Sequence, residues 1–296
     1  MAYILSVIAD PTASAVDPLL VASLFGPVKA GEVRTLANGL AWEATLEDAL
    51  APEALAALRR EAGGAPLDIN VIPAENRRKK LLIADMDSTI IQQECIDELA
   101  EHAGKRAEIS AITEQAMRGE LDFEAALKAR VGMLKDLDEA VLAQTFEERI
   151  ALTPGARSLV ETMNALGAAT ALISGGFTFF TERVAKAAGF QHHQANRLFI
   201  EDGRLTGAVA EPILGREAKR EALMRLTAAH DLNRSETLAV GDGANDLSML
   251  EEASLGVAFH AKPAVAAAAQ ARIDHGDLTA LLYLQGIPQT EFVIQG

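Results

Sequence analysis

A single cysteine, Cys95, in 296 residues excludes an internal disulfide framework and predicts a reducing, cytoplasmic setting. No apolar run approaches the roughly 20 residues that a membrane-spanning helix needs, so no transmembrane segment is expected. The opening MAYILSVIADPTASAVDP lacks both the basic start and the small-residue cleavage site of a secretory leader. Basic residues are also scarce: 27 Lys and Arg stand against 42 Asp and Glu, a net charge of −15. That balance argues against nucleic acid or an anionic membrane surface as partner. There is no internal repeat, and the only local bias is an alanine-rich stretch at 264–269. What is present, 49% apolar and 23% charged residues, suits a well-cored globular chain with one sizeable domain and a smaller one.

The most visible break is PAENRRKK (73–80), a polar stretch between two apolar runs that reads as a solvated linker. Before it, the pattern predicts a strand over 3–9, a helix over 18–25, one or two strands over 33–46, a helix over 52–62 and a strand over 67–72. This βαββαβ-like order describes a small two-layer α/β sandwich spanning 1–73. After the linker, LLIAD (81–85), ATALISGG (169–176), TLAVGDG (237–243) and LGVAF (255–259) are short apolar runs alternating with helical patterns. They predict a Rossmann-like parallel sheet covered on both faces, within a second domain spanning 81–296. Residues 93 to about 151 keep a helical period, broken at Gly104, Gly119 and Asp136. So long a crossover is better read as a helical cap over the strand ends.

Ligands of open parallel sheets bind outside the carboxyl ends of the strands. Three such ends carry distinctive polar residues: Asp85-Met86-Asp87-Ser88-Thr89, Ser174-Gly175-Gly176 and Gly241-Asp242-Gly243-Ala244-Asn245-Asp246. Asp85, Asp87, Asp242 and Asp246 would repel one another strongly without a cation among them, and Mg2+ is the natural candidate because it takes a few carboxylates and bridges to phosphate. Asp242 and Asp246, one helical turn apart, could meet that ion with Asp85. A carboxylate can also attack phosphorus, splitting one displacement into two. Asp87 could protonate the leaving oxygen, provided that the site raises its pKa above the ordinary value of ~3.9; crowding by like charge is one way to do so. Ser174 and the N–H groups that Gly175 and Gly176 leave open could hold phosphate, with Lys219 near the start of a helix over 217–229 and Asn245 as a neutral donor. Taken singly, each motif is an ordinary strand-end turn, Ser174 a helix cap and Lys219 a surface charge. A calcium loop is excluded at DMDST because Ile90 and Ile96 stand where a glycine and a glutamate are required. The aspartates of GDGAND suit a metal better than a pyrophosphate.

Together DMDST, SGGF, EAKREAL and GDGANDLSML resemble the four motifs of the haloacid dehalogenase superfamily. The resemblance implies Asp85 as nucleophile, Asp87 as acid and base, Ser174 and Lys219 on the phosphate, and Mg2+ held by Asp85, Asp242 and the backbone carbonyl of Asp87, with Asp246 close to the metal shell. Within that superfamily residues 80–284 are similar to the phosphoserine phosphatases, through Glu94, Met117, Phe123, Arg130 and the run RVGMLKDL (130–137). Gly132 departs from the serine more usual there. By that likeness Glu94 binds the amino group and Arg130 the carboxylate of O-phosphoserine, Met117 and Phe123 shield the site, and the reaction is the last step of serine biosynthesis. On their own residues Glu94 and Arg130 would be solvated, and Met117 and Phe123 core.

Other features are set aside. His192 and His193 are adjacent and lack a third ligand at metal spacing, and nothing near Cys95 would activate its thiol. The 1–73 segment resembles, by topology alone, the small amino-acid-sensing ACT domains, which would imply serine sensing or a homodimer. The alternatives left open are a phosphotransferase, a phosphatase for another small phosphomonoester, and an amino-acid-binding regulator on a vestigial core. The last is disfavoured by an intact Asp85, Asp87, Lys219, Asp242 and Asp246.

Overall fold

In the computed structural model, residues 2–13 and 16–293 are described. The first 73 residues run β1 (Tyr3–Ala9), α1 (Pro18–Phe25), β2 (Arg34–Ala37), β3 (Ala41–Leu46), α2 (Pro52–Glu61) and β4 (Leu67–Pro73). Proline at the first turn of α1 and α2 costs no hydrogen bond there, and the Asp17 carboxylate caps α1 by accepting from the Leu19 N–H at 2.8 Å. The sheet order is β2-β3-β1-β4, with β1 antiparallel to both of its neighbours. Alternation along β1 sends Leu5, Val7 and Ala9 beneath the two helices. Ile4 and Ile8 go to the opposite face, into a core shared with the rest of the chain.

The second sheet has the order β12-β11-β10-β5-β6-β7 and is parallel throughout. Its centre is β5 (Leu81–Ala84), flanked by the later strands β6 (Ala169–Phe177) and β10 (Thr237–Gly241). Leu82 and Ala84 fill one face and Leu81 and Ile83 the other, which explains the unbroken apolar run. Thus the three strands that end in the distinctive polar motifs are immediate neighbours.

Between β5 and β6 lie α3 (Cys95–His102), α4 (Arg106–Met117), α5 (Phe123–Gly132), α6 (Ala140–Arg149) and α7 (Ala156–Ala165). The breaks expected at Gly104, Gly119 and Asp136 coincide with left-handed backbone, φ +64°, +74° and +66°. The chain leaves and re-enters the sheet side by side: Ile91 bridges Leu152, and the Gln92 and Thr153 N–H groups donate to the carbonyls of Ala151 and Ile90 at 3.1 and 2.9 Å.

After β6 come α8 (Thr178–Ala188), β7 (His192–Asn196) and a hairpin of β8 (Leu198–Glu201) and β9 (Arg204–Val209). The remainder is α9 (Arg216–Ala229), β10, α10 (Leu247–Glu252), β11 (Leu255–Phe259), α11 (Pro263–Ala268), β12 (Ala271–Ile273) and α12 (Ala280–Leu284). The strand pattern missed β7, β12 and the hairpin. His192 and His193 lie on β7, where Thr181 Oγ1 is 3.2 Å from His193 Nδ1, and no metal-ligand group gathers around them among the described residues.

The run Arg77 to Lys80 is not a free, solvated linker. Arg77 is paired with Glu43 at 2.7 Å and donates to the Leu284 carbonyl at the end of α12. Arg78 meets Glu291, Lys80 meets Glu236, and Lys79 is buried, donating to the Ser235 carbonyl and Ser254 Oγ. The two sheets are also joined directly. Asn70 on β4 both donates to and accepts from the Arg272 backbone at 2.9 Å, and Asp68 accepts the N–H groups of Asp274, His275 and Gly276. No helix among the described residues is long and apolar enough to cross a membrane.

Candidate active site

Asp85 ends β5 and is 4% exposed. Its Oδ1 accepts from Lys219 Nζ at 2.5 Å, and the same ammonium reaches Asp246 Oδ1 at 2.6 Å. Lys219 lies in the first turn of α9, wholly buried. Burial alone would lower its pKa, but the Asp246 and Asp85 carboxylates outweigh that and raise it, so it stays charged. The Asp85 carboxyl is pushed up to about 7, first by burial and then by Asp246, with Lys219 opposing.

Asp87 follows after one residue, and Ser88 then takes a left-handed turn at φ +54°. Asp87 Oδ2 accepts from Ser174 Oγ at 3.2 Å and its Oδ1 from the Cys95 N–H at 2.8 Å, the first N–H of α3. Its pKa is raised, as acid catalysis requires. The first cause is burial, opposed by these hydrogen bonds, ahead of the like-charge crowding that the sequence offered as one way to raise it. Cys95 itself is buried with its thiol held well above the ordinary value, chiefly by that burial, in keeping with an inert role.

Asp242 and Asp246 follow β10. Asp246 is fully used: besides Lys219 it accepts the N–H groups of Asp242 and Gly243 at 3.2 and 3.1 Å. Asp242 has a long contact from Thr89 Oγ1 at 3.4 Å, and its carboxyl is pushed far up by burial and by Asp246. Asp85, Asp242 and Asp246 each offer an oxygen within 4.8 Å of the others, in a buried triad that could hold a metal. The donor set is all carboxylate oxygen, and Lys219 alone does not neutralise it, so a hard divalent cation fits both the charge and the chemistry.

In front of this centre is a cavity of about 50 Å³, lined among others by Asp85, Asp87, Glu94, Arg130, Ser174 and Asn245. Gly175, Met117 and Phe123 also line it. The ring of Phe123 lies so close to Gly175 that a Cβ there would come within 2.6 Å of Cζ. Asp242 instead faces a second cavity of about 530 Å³ at the crossing of Gln92 and Thr153. Glu94 accepts from Ser88 Oγ at 2.6 Å, and its carboxyl is pushed up to about 8 by burial and by Asp87. Arg130 is 5% exposed; its Nε donates to the Ala126 carbonyl at 3.1 Å and its Nη1 to Thr113 Oγ1 at 3.0 Å. Neither Glu94 nor Arg130 forms an ion pair with any described residue. Asp85, Asp87, Glu94, Met117, Phe123, Arg130, Ser174, Gly175 and Asn245 thus line one cavity, Lys219 joins Asp85 to Asp246, and Asp242 approaches these carboxylates from the second cavity. Ser88, Thr113 and the Cys95 N–H were not expected: each is defined only by the partner that tertiary packing brings to it.

Residues 82–251 match the haloacid dehalogenase-like hydrolase family. Among curated proteins, a phosphoserine phosphatase of Streptomyces coelicolor is 46% identical over 237 residues, 79% of this chain and 58% of that protein. The chain therefore spans less than two thirds of that relative's length. Among solved structures, a HAD family hydrolase from Salmonella enterica serovar Typhi superposes with a TM-score of 0.82 at 34% identity, over 96% of this chain and 98% of the other. A phosphoserine phosphatase captured as a phospho-aspartyl intermediate analogue gives 0.67 at 39% identity, over 70% and 98%.

Proposed function

We infer the activity from the premise that this chain belongs to the haloacid dehalogenase-like hydrolase family: it hydrolyses O-phosphoserine to serine and phosphate through a phospho-aspartate on Asp85. The observation that carries the substrate is that one acidic and one basic side chain, Glu94 and Arg130, line the cavity together with Asp85, and neither is in an ion pair with a described residue. Leaving such groups unsatisfied costs roughly 1–3 kcal/mol each, more when charged, so the site favours a ligand with both an ammonium and a carboxylate.

In the first step an Asp85 oxygen attacks phosphorus, the bond to the serine oxygen breaks, and Asp87 gives its proton to that oxygen. Water then attacks phosphorus, its proton passes to Asp87, and the Asp85 carboxylate is released with phosphate. Ser174, the N–H groups of Gly175 and Gly176, Asn245 and Lys219 hold the phosphoryl oxygens, while Met117 and Phe123 exclude water. Mg2+, held by Asp85, Asp242 and the Asp87 carbonyl with Asp246 behind them, would offset the charge of the carboxylates and phosphate. Serine lies beneath α3 to α6, so its release requires these helices to lift.

The same reading assigns 1–73 to an ACT-like domain, 74–80 to a linker and 81–296 to the catalytic domain, with the cap at about 93–151. It makes the enzyme the last step of serine biosynthesis in the cytoplasm, consistent with one buried thiol. A homodimer belongs to the same reading. The test is phosphate release from both enantiomers of phosphoserine, phosphothreonine and phosphoglycolate, with and without Mg2+. Metal-dependent preference for phosphoserine supports the reading, and equal turnover of amine-free esters overturns the substrate.

A further inference from the structure

Arg130 is held from behind by a relay that crosses three helices. Its Nη1 donates to Thr113 Oγ1 at 3.0 Å, and Thr113 Oγ1 lies 2.7 Å from Asp97 Oδ1 and 3.0 Å from the Ile109 carbonyl. Arg130 is on α5, Thr113 on α4 and Asp97 in the first turn of α3. A hydroxyl has one proton to give, and the Asp97 carboxylate oxygen is the nearer acceptor. Donation to Asp97 polarises the Thr113 oxygen and makes it a better acceptor for the guanidinium behind the cavity. With Nε tied to the Ala126 carbonyl and Nη1 tied to Thr113, the rest of the planar fork is left for a ligand. A free arginine would surrender side-chain entropy on being fixed; here that ordering precedes binding.

We propose that Asp97, acting through Thr113, is the positioning residue that orients Arg130 and so sets the preference for a phosphate ester bearing a carboxylate. This rests on the reading of Arg130 as the carboxylate site. Asp97 does not line the cavity; it reaches Arg130 by hydrogen bonds through Thr113 and, through space, by its charge.

The experiment compares kcat/KM for O-phosphoserine and for phosphoethanolamine, the same ester without its carboxylate, in the full-length protein with Mg2+. Wild type should favour phosphoserine. Thr113→Val and Asp97→Ala should each lower the ratio of the two by about tenfold, mainly through a higher KM for phosphoserine. Thr113→Ser should restore it, and Asp97→Ala added to Thr113→Val should lower it no further. Equal losses on both esters, with the ratio intact, would make the relay merely structural and overturn the proposal, as would an additive double variant. Should Thr113→Val fail to fold, Thr113→Ser against Asp97→Ala still decides the matter. A wild-type enzyme indifferent to the carboxylate would first overturn the role of Arg130, a failure visible before any variant is made.

Discussion

Replacing Glu94 with glutamine keeps the shape of the side chain and removes its charge. The Glu94 carboxyl is held at about 8 in the free enzyme, first by burial. Only its ionised form pairs fully with the ammonium of the substrate, so binding should strengthen as pH rises toward about 8. A charge-assisted hydrogen bond contributes about 1.5–3 kcal/mol, so Glu94→Gln should lower kcat/KM for phosphoserine roughly 10- to 150-fold at high pH. The Asp85 carboxyl, pushed up to about 7, also titrates and its charge acts on Glu94, so the ratio of wild type to variant reports Glu94 together with that coupling. Steady-state phosphate release from pH 6 to 9.5 should show that ratio rising with pH up to about 8 and then flattening. With the amine of the substrate replaced by hydroxyl, the ratio should stay near or below one. The sign for stability follows from the same group. Below pH 4.5 both folded and unfolded chains keep the proton, whereas between 4.5 and about 8 the unfolded chain releases it first, so the folded state loses ground as pH rises. Glu94→Gln should therefore melt higher than wild type at pH 9, and about equally at pH 4. A ratio flat in pH, or an equal loss on the amine-free ester, would refute the assignment of Glu94 to the ammonium.

Asp85→Asn should abolish turnover while circular dichroism stays native, because the amide can still fill its place beside Lys219; appreciable activity would remove Asp85 as nucleophile. Lys219→Met would strand Asp85 and Asp246 without their cation, costing about 3–5 kcal/mol in denaturant unfolding and most of the activity. An unchanged midpoint would mean that the two carboxylates share a proton instead. Gly175→Ala places a Cβ 2.6 Å from the Phe123 ring, so Phe123 must move or the cap must lift. A loss of about 1–3 kcal/mol and a raised KM are expected, and an unaltered KM would show that Phe123 does not seal the cavity.

The site was legible because a buried parallel sheet can place polar side chains only at its ends. DMDST, SGG and GDGAND stand out against the apolar runs that deliver them, and β5, β6 and β10 prove to be neighbours. The edges of the sheet were not legible: β7 reads His-His-Gln-Ala-Asn because an exposed edge strand carries no apolar pattern, and β12 has three residues. The cations at 77–80 looked solvated because their partners, Glu43, Glu236, Glu291 and the end of α12, are remote or ambiguous in sequence. The leading cause of the raised Asp87 value lay outside the sequence for a related reason. Proximity of charges can be counted along a chain, whereas the enclosure that outweighs them arises only once the helices close over the strand ends.

Both faces of the small N-terminal sheet carry packed apolar residues. Leu5 and Val7 are covered by its own helices, whereas Ile4, Ile8, Leu36 and Ile72 lie in the same cluster as Leu281 and Tyr283 of α12. Its Asp68 and Asn70 also hold the backbone beside β12. The two halves are therefore not interchangeable parts. A graft of the catalytic segment onto a foreign N-terminal module would carry a bare apolar seam along α12 and loose backbone donors after β12.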